Sequence, residues 1–341
     1  MTTLVTGAAG HLGNNVVRAL LAQGRRVRVL VRSTSSSLDG LDVERHVADV
    51  LDRSTLDVPF AGADVVYHFA GLVSLVNKDG PRVLATNVIG TRNVVDACLA
   101  HGVKKLVHGS SIHALAPARG DEATDESRPP NFDRHATPYD RSKVEGEAEV
   151  RAGIVRGLDA VILNPTGVIG PHDYAPRLAG RALIDMYLGK VPIGVSGGFD
   201  WVDARDVASG ALAAERLGRP GERYILSGHW ASMRELAAVM RQATGREGPK
   251  LVAPLWLAWL GLPFLAGYAK LNASHPLYTA AGLRALSEHR ACRNDKARRE
   301  LSFSPRPLER TIGDTFAFYE QAGLLGPGAA RGVSLPAGAF P

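Results

Sequence analysis

The stretch that most constrains this chain is Thr6-Gly7-Ala8-Ala9-Gly10-His11-Leu12-Gly13. It follows an apolar pair, Leu4 and Val5, and leads into apolar residues at helical spacing, Val16, Val17, Leu20 and Leu21. A strand, a glycine-dense turn and a helix in that order form the front of a dinucleotide-binding βαβ unit. Each glycine has its own reason to be there. Gly7 takes the tight turn, Gly10 lets the backbone approach a pyrophosphate, and Gly13 lets the helix pack closely on the strand. Ala9, His11 and Leu12 complete the turn, whose free N–H groups and positive dipole end face the phosphates.

The segments that follow alternate strand and helix. Arg26 to Val31 reads as a second strand, and what comes after it bears on the cofactor. A site for NAD usually places Asp or Glu here to hold the ribose hydroxyls. This chain offers Arg32-Ser33-Thr34-Ser35 instead, and a guanidinium beside hydroxyls suits a ribose 2′-phosphate. NADP(H) is therefore the expected cofactor, with NAD(H) the alternative. Val43 to Val47 reads as a third strand, ending in Asp49-Val50. Asp64 to Phe69 reads as a fourth, followed by Ala70-Gly71. Arg82 to Ala100 has helical spacing and contains Asn87. Lys105 to Val107 starts a fifth strand that runs out at Ser111, and 116–137 is expected to be a surface loop. A long helix opens at Pro138-Tyr139 and runs toward Val155. The strand Ala160 to Leu163 then leads into Asn164-Pro165-Thr166-Gly167-Val168. The pattern calls for the α/β class: a Rossmann-type doubly wound parallel sheet. Residues 1–171 are expected to form the nucleotide-binding domain. Residues 172–325 would form mainly a smaller C-terminal substrate lobe, with helices near 175–188, 204–216 and 233–244 and a strand at 223–227. Residues 326–341 would be a tail without fixed structure.

Composition narrows the partners. The net charge of +6 is spread over scattered Lys and Arg without interleaved aromatics, which argues against a nucleic-acid partner and suits an anionic cofactor. Two cysteines, Cys98 and Cys292, lack metal-like spacing and lie in helical patterns, so free buried thiols and no metal site are expected. The first strand begins within about three residues of Met1, leaving no room for a signal peptide, and a cytoplasmic location follows as the expectation. Leu251 to Ala269 holds nineteen residues without a charge. Its prolines and glycines disfavour a spanning helix. A helix buried in or lying on the small lobe is expected, with peripheral membrane contact as the alternative.

Ser111, Tyr139 and Lys143 form a constellation. Tyr139 and Lys143 are four residues apart and share a helix face. An ammonium one turn away, with an oxidised nicotinamide, would favour the phenolate, and a strand-end serine can hydrogen-bond a substrate oxygen. With the glycine turn upstream, these residues resemble the extended short-chain dehydrogenase/reductases over roughly residues 2–320. The matching pieces are Thr6–Gly13, Asn87-Val-Ile-Gly-Thr91, Gly109-Ser-Ser111, Tyr139-Asp-Arg-Ser-Lys143 and Asn164–Pro171. Within that superfamily the likeness is to the dihydroflavonol reductase branch, which includes cinnamoyl-CoA-type and 3β-hydroxysteroid-type enzymes.

The resemblance implies that Ser111, Tyr139 and Lys143 are catalytic and that Asn87 holds the lysine and a water in a proton relay. It puts Arg32 and Ser33 at the 2′-phosphate and Asp49 and Val50 beside the adenine. Ala70 and Gly71 would line the cofactor ribose, Pro165 would abut the nicotinamide, and Phe69 and Val168 would also touch the cofactor. Ile112-His113-Ala114-Leu115 stands where the sugar-epimerase branch carries an aromatic, which weakens a nucleotide-sugar substrate. Leu72, Val73, Ile112, His113, Thr166, His172, Tyr174 and Met186 are the candidate substrate residues. The leading expectation is an NADP(H)-dependent reductase of a ketone or aldehyde on an apolar small molecule. An NAD-dependent nucleotide-sugar epimerase or dehydratase is the second, and a non-catalytic NADP(H)-binding sensor the third. The resemblance also implies a homodimer paired through the helices around 82–100 and 141–155.

Overall fold

The computed structural model describes residues 1–74, 77–118, 122–262, 279–288 and 291–326. Seven parallel strands make the central sheet: β1 (Thr2–Thr6), β2 (Arg26–Val31), β3 (Glu44–Val47), β4 (Val65–His68), β5 (Lys105–Gly109), β6 (Ala160–Pro165) and β7 (Arg223–Leu226). Their spatial order is β7-β6-β5-β4-β1-β2-β3, so the chain winds outward from β1 on one side and then on the other. Strands β4, β5 and β6 are buried along their whole length, as a parallel sheet covered on both faces requires. Successive residues serve opposite layers. Val5 packs with Val16, Val17 and Leu20 of α1 (His11–Ala22), whereas Leu4 packs with Val94 of α2 (Gly90–Ala100) and Val150 of α3 (Pro138–Val155).

The long helix expected over 82–100 is three pieces. A helix over Gly80–Leu84 passes into one wide π turn at Ala85–Ile89 before α2 begins. Apolar spacing does not register the one added residue, and the wide turn contains Asn87.

The C-terminal half interleaves two destinations. Helix Ala204–Leu217 packs against α1, β7 completes the sheet, and helix Asp295–Leu301 returns beside them. The smaller lobe is built on Gly198–Asp203, which pairs in parallel with Gly167–Ile169 and antiparallel with His229–Ser232. Helices Leu178–Tyr187, Met233–Thr244 and Leu308–Gln321 close a separate core around that strand. Cys98 is buried in α2, but Cys292 lies in a two-residue strand paired with Ala123–Thr124, not in a helix, because the backbone there extends to meet the loop at 122–131. The apolar stretch at 251–269 begins as a short strand, Leu251–Ala253, and continues as a helix over 255–262. Leu255, Ala258, Trp259 and Leu262 seat that helix on Val195, Leu283 and Leu286, while Trp256, Leu257 and Leu260 stay exposed. Residues 263–269, and the tail from 327 on, lie outside the described residues. Among the described residues no helix is long and apolar enough to cross a membrane.

Two imidazoles lie inside the sheet. His68 and His108, neighbours on β4 and β5, have ring centroids 5.3 Å apart. His68 contacts Thr6 Oγ1 at 2.7 Å and Thr91 Oγ1 at 3.0 Å. Neither ring nitrogen of His108 meets a hydrogen-bond partner among the described residues. Burial holds His68 down at about 3 and His108 well below the ordinary histidine range, with the Lys143 ammonium adding repulsion to both. The unfolded rings titrate near 6.5, so below that pH the unfolded chain takes up protons that the native state refuses. This contribution to stability is complete above about pH 6.5 and shrinks as the pH falls toward 3. Thermal unfolding should therefore shift to lower temperature between pH 7.5 and 5. His108→Leu should flatten that dependence; an equally steep one would mean that His108 is not held neutral.

Candidate active site

The site is built outward from the turn after β1. Gly7 has φ +72°, and a Cβ there would lie 2.5 Å from the backbone of Phe69 and Ala70. A Cβ on Gly13 would lie 2.2 Å from the Gly7 carbonyl oxygen, closer than any side chain can approach. With Gly7 O accepting from Gly10 N (2.9 Å), the turn brings the first residues of α1 to the wall of a cavity of about 970 Å³. A helix start leaves its first backbone N–H groups without intrahelical partners, and an anion can accept from them.

That cavity runs along the C-terminal ends of the strands. Gly7, Ala9, Gly10, His11, Leu12 and Gly13 line one part of it, and Arg32, Ser33, Thr34 and Ser35 another. Asp49 and Val50, then Phe69, Ala70 and Gly71, then Pro165 and Val168 continue the same wall. The loop after β2 is tied to the glycine turn: Asn14 Nδ2 donates to Ser37 O (2.8 Å), and Ser37 Oγ donates to Ala9 O (3.3 Å). Asp49 is turned toward its own loop, accepting from Leu51 N at 3.0 Å. A glycine cradle with no room for Cβ atoms, opening on a trough of this length, fits a pyridine dinucleotide.

Tyr139 enters at the first turn of α3. Thr137 caps that helix, accepting from Asp140 N (3.1 Å) while Asp140 Oδ2 accepts from Thr137 N (2.7 Å), and Pro138 occupies the first helical position. The phenol is hydrogen-bonded with Ser111 at the end of β5, and both residues line the cavity. Burial pushes the phenol up to about 12; the Asp140 charge adds to this, and the Ser111 hydrogen bond opposes it. The expectation that Lys143 lowers this value is not met in the protein alone. The ammonium lies 5.9 Å from the ring centroid, and burial outweighs it. Lys143 reaches the wall from behind, donating to Gly109 O at 3.1 Å, and burial brings its own value down to about 8.

Asn87 sits beside them in a different relation from the one expected. Its Oδ1 accepts from Leu72 N (2.7 Å), and its Nδ2 donates to Leu72 O (2.9 Å) and Ser142 Oγ (2.8 Å). Ser142 Oγ in turn donates to Tyr139 O (2.7 Å). The amide thus clamps the Leu72 segment to the first turn of α3, and Lys143 passes close by without being its partner.

Of the candidate substrate residues, Leu72, Val73, Ile112, His113, Thr166, Tyr174 and Met186 all line the same cavity. His113 Nδ1 lies 3.0 Å from Asp140 Oδ1. His172 is not part of that wall. It is buried with φ +65°, its ring packed against Tyr174 and Phe318. The lobe also contributes Val191, Phe199, Trp201, Met233 and Leu286, which the sequence reading missed. The alternation of Phe199 and Trp201 around Asp200 was the available signal for that strand. Among the described residues no cluster of His, Cys, Asp and Glu is arranged to hold a metal.

A doubly wound parallel sheet with this turn and this trough defines a Rossmann-type nucleotide-binding enzyme. Residues 3–227 match the NAD dependent epimerase/dehydratase family, and the chain belongs to that family, within the extended short-chain dehydrogenase/reductases. The family binds NAD(P), and the chain is an oxidoreductase of this type. It is 34% identical over 331 residues to sterol demethylase protein B of Methylococcus capsulatus, covering 95% of this chain and 100% of that protein. It is 31% identical to a putative dihydroflavonol 4-reductase of Synechocystis, covering 94% and 95% of the two chains. The crystal structure of gox2253 superposes with a TM-score of 0.84 at 32% identity, covering 95% of this chain and 99% of that one.

Replacing Gly13 by Ala should displace the turn and weaken nucleotide binding more than tenfold, measured by quenching of tryptophan fluorescence. Binding at the wild-type level would show that the turn does not cradle the nucleotide.

Proposed function

We propose that the protein is an NADP(H)-dependent reductase of a ketone or aldehyde carried on an apolar small molecule. The observation that carries this is the meeting of Ser111 and Tyr139 with one continuous cavity whose far end is walled by Met186, Val191, Phe199 and Leu286. The likeness to a sterol demethylase protein and a putative dihydroflavonol 4-reductase supports the same substrate class.

Residues of the glycine turn would hold the pyrophosphate and Arg32 the 2′-phosphate, while Ala70, Gly71 and Pro165 flank the nicotinamide end. Bound there, the reduced cofactor supplies the hydride for the carbonyl carbon. Ser111 Oγ orients the substrate oxygen. Tyr139 stays protonated at neutral pH and donates its phenolic proton to that oxygen as it takes on negative charge. Lys143, still an ammonium, then favours the phenolate until solvent reprotonates it. The apolar wall excludes water from the reacting atoms.

A screen of carbonyl compounds with NADPH and NADH, followed at the nicotinamide absorbance, tests this directly. NADPH should be consumed in step with product; an epimerase would show no net absorbance change. Tyr139→Phe should lower kcat by roughly 10²–10⁴-fold while NADPH still binds. Loss of binding as well would remove the role given to that hydroxyl.

Arg32→Ala should raise the Km for NADPH by about 10–100-fold, the worth of one charged hydrogen bond of about 1.5–3 kcal/mol, and leave that for NADH unchanged. Equal effects on both cofactors would overturn the 2′-phosphate assignment.

We also propose that Trp256, Leu257 and Leu260 rest on a lipid surface and that the outer faces of α2 and α3 pair two copies in a cytoplasmic homodimer. Exposure of those three apolar side chains in one turn and a half of helix supports the lipid contact. Co-sedimentation with anionic vesicles should be lost in Trp256→Asp, and light scattering should give twice the chain mass.

A further inference from the structure

Tyr139, Lys143 and Glu147 follow one another at four-residue steps on α3, so all three share a face. Glu147 takes no part in the chemistry described so far, yet it is only 4% exposed. Its Oε1 accepts from Ser110 Oγ (2.7 Å) and from Asn164 Nδ2 (2.7 Å). The same Asn164 Nδ2 donates to the carbonyl oxygen of Ser111 at 2.8 Å. Its Oε2 lies 3.1 Å from Arg223 Nη2 on β7 and 4.0 Å from Arg151 Nη2, one turn further along α3. One carboxylate therefore joins the catalytic helix to the ends of β5 and β6 and to the first residue of β7, and through Asn164 it holds the peptide that presents Ser111.

Burying a charge costs several kcal/mol, and neutral side chains can link strand ends without that cost. The charge has a second neighbour. Around Lys143, His68 on β4 and His108 on β5 are neutral and offer the ammonium no countercharge, and Gly109 O supplies one neutral acceptor. Glu147 is the carboxylate that favours its charged form.

We propose that Glu147 is a positioning residue of the active site: its carboxylate sets the Ser110–Ser111 strand end through Asn164 and balances the Lys143 ammonium. The inference deepens the reductase reading and rests on it for its catalytic meaning.

The test uses two variants of the full chain, Glu147→Gln and Arg223→Gln, and reads the pH dependence of Lys143 acetylation by acetic anhydride, located by peptide mass spectrometry. Both variants break the same buried ion pair and should lower the unfolding temperature. Only Glu147→Gln should move the onset of Lys143 labelling to lower pH, by about one unit, with roughly fivefold faster labelling at pH 7. Arg223→Gln should leave the onset in place or move it upward. In turnover with NADPH, the alkaline limb of kcat should move the same way as the labelling, with little change in Km. Equal labelling profiles in wild type and Glu147→Gln overturn the proposal. A wild-type protein that reduces no carbonyl, with the labelling shift present, overturns the reductase reading and leaves the electrostatic role of Glu147 standing.

Discussion

The site depends on how closely α1 approaches the turn that follows β1. With 2.2 Å between the Gly7 oxygen and the place where a Cβ on Gly13 would be, there is room for a hydrogen and nothing larger. That approach aims the start of the helix, with its unpaired N–H groups, into the trough. It also lets Phe69 and Ala70 pass directly over Gly7, which brings the end of β4 to the cavity. The remaining parts of the site are placed relative to this contact, because β1 lies inside the sheet, paired on both sides, and β2 and β4 take their register from it.

A chain of buried hydrogen bonds carries that placement to Tyr139. Thr91 Oγ1 donates to Asn87 O at 2.7 Å, so toward His68 it acts as an acceptor. His68 must then carry its proton on Nε2 and accept from Thr6 Oγ1 through Nδ1. From Asn87 the connection passes by its amide to Ser142 and on to the backbone of Tyr139. A network in which each member has a partner is rigid and specific. Tyr139 is in this way fixed to the first strand of the sheet, although 133 positions separate it from Thr6 in the chain. His108, next to this network, shows the contrast: its ring is packed into the sheet but its nitrogens meet no hydrogen-bond partner among the described residues.

Much of this was legible in the sequence, for physical reasons that differ by element. The glycine turn could be read because a backbone without room for Cβ atoms admits one residue type, and the strand–helix alternation because period-2 and period-3.6 patterns differ. The helix expected near 233–244 is found at Met233–Thr244, where Ser232 and Glu235 form a capping box that the sequence reading did not use. The strands at Gly167–Ile169 and Gly198–Asp203 escaped, being short, each opened by a glycine, and paired with each other across about thirty positions of chain. Asn87 could be located but not its partners, because a clamp to Leu72 and Ser142 depends on a turn geometry that no periodicity encodes. Burial was equally invisible: Tyr139 sits higher, and Lys143 lower, on the pH scale than their mutual attraction alone would suggest.

The wide turn at Ala85–Ile89 has a consequence for how this chain can change. The turn holds one residue more than an α-helical turn does, so removing one from this segment would let it close to ordinary helical bonding and leave the face of α2 nearly where it is. Val94 and Val95 would stay against the sheet. What would go is the wide turn that carries Asn87, and with it the amide's reach to Leu72 and Ser142.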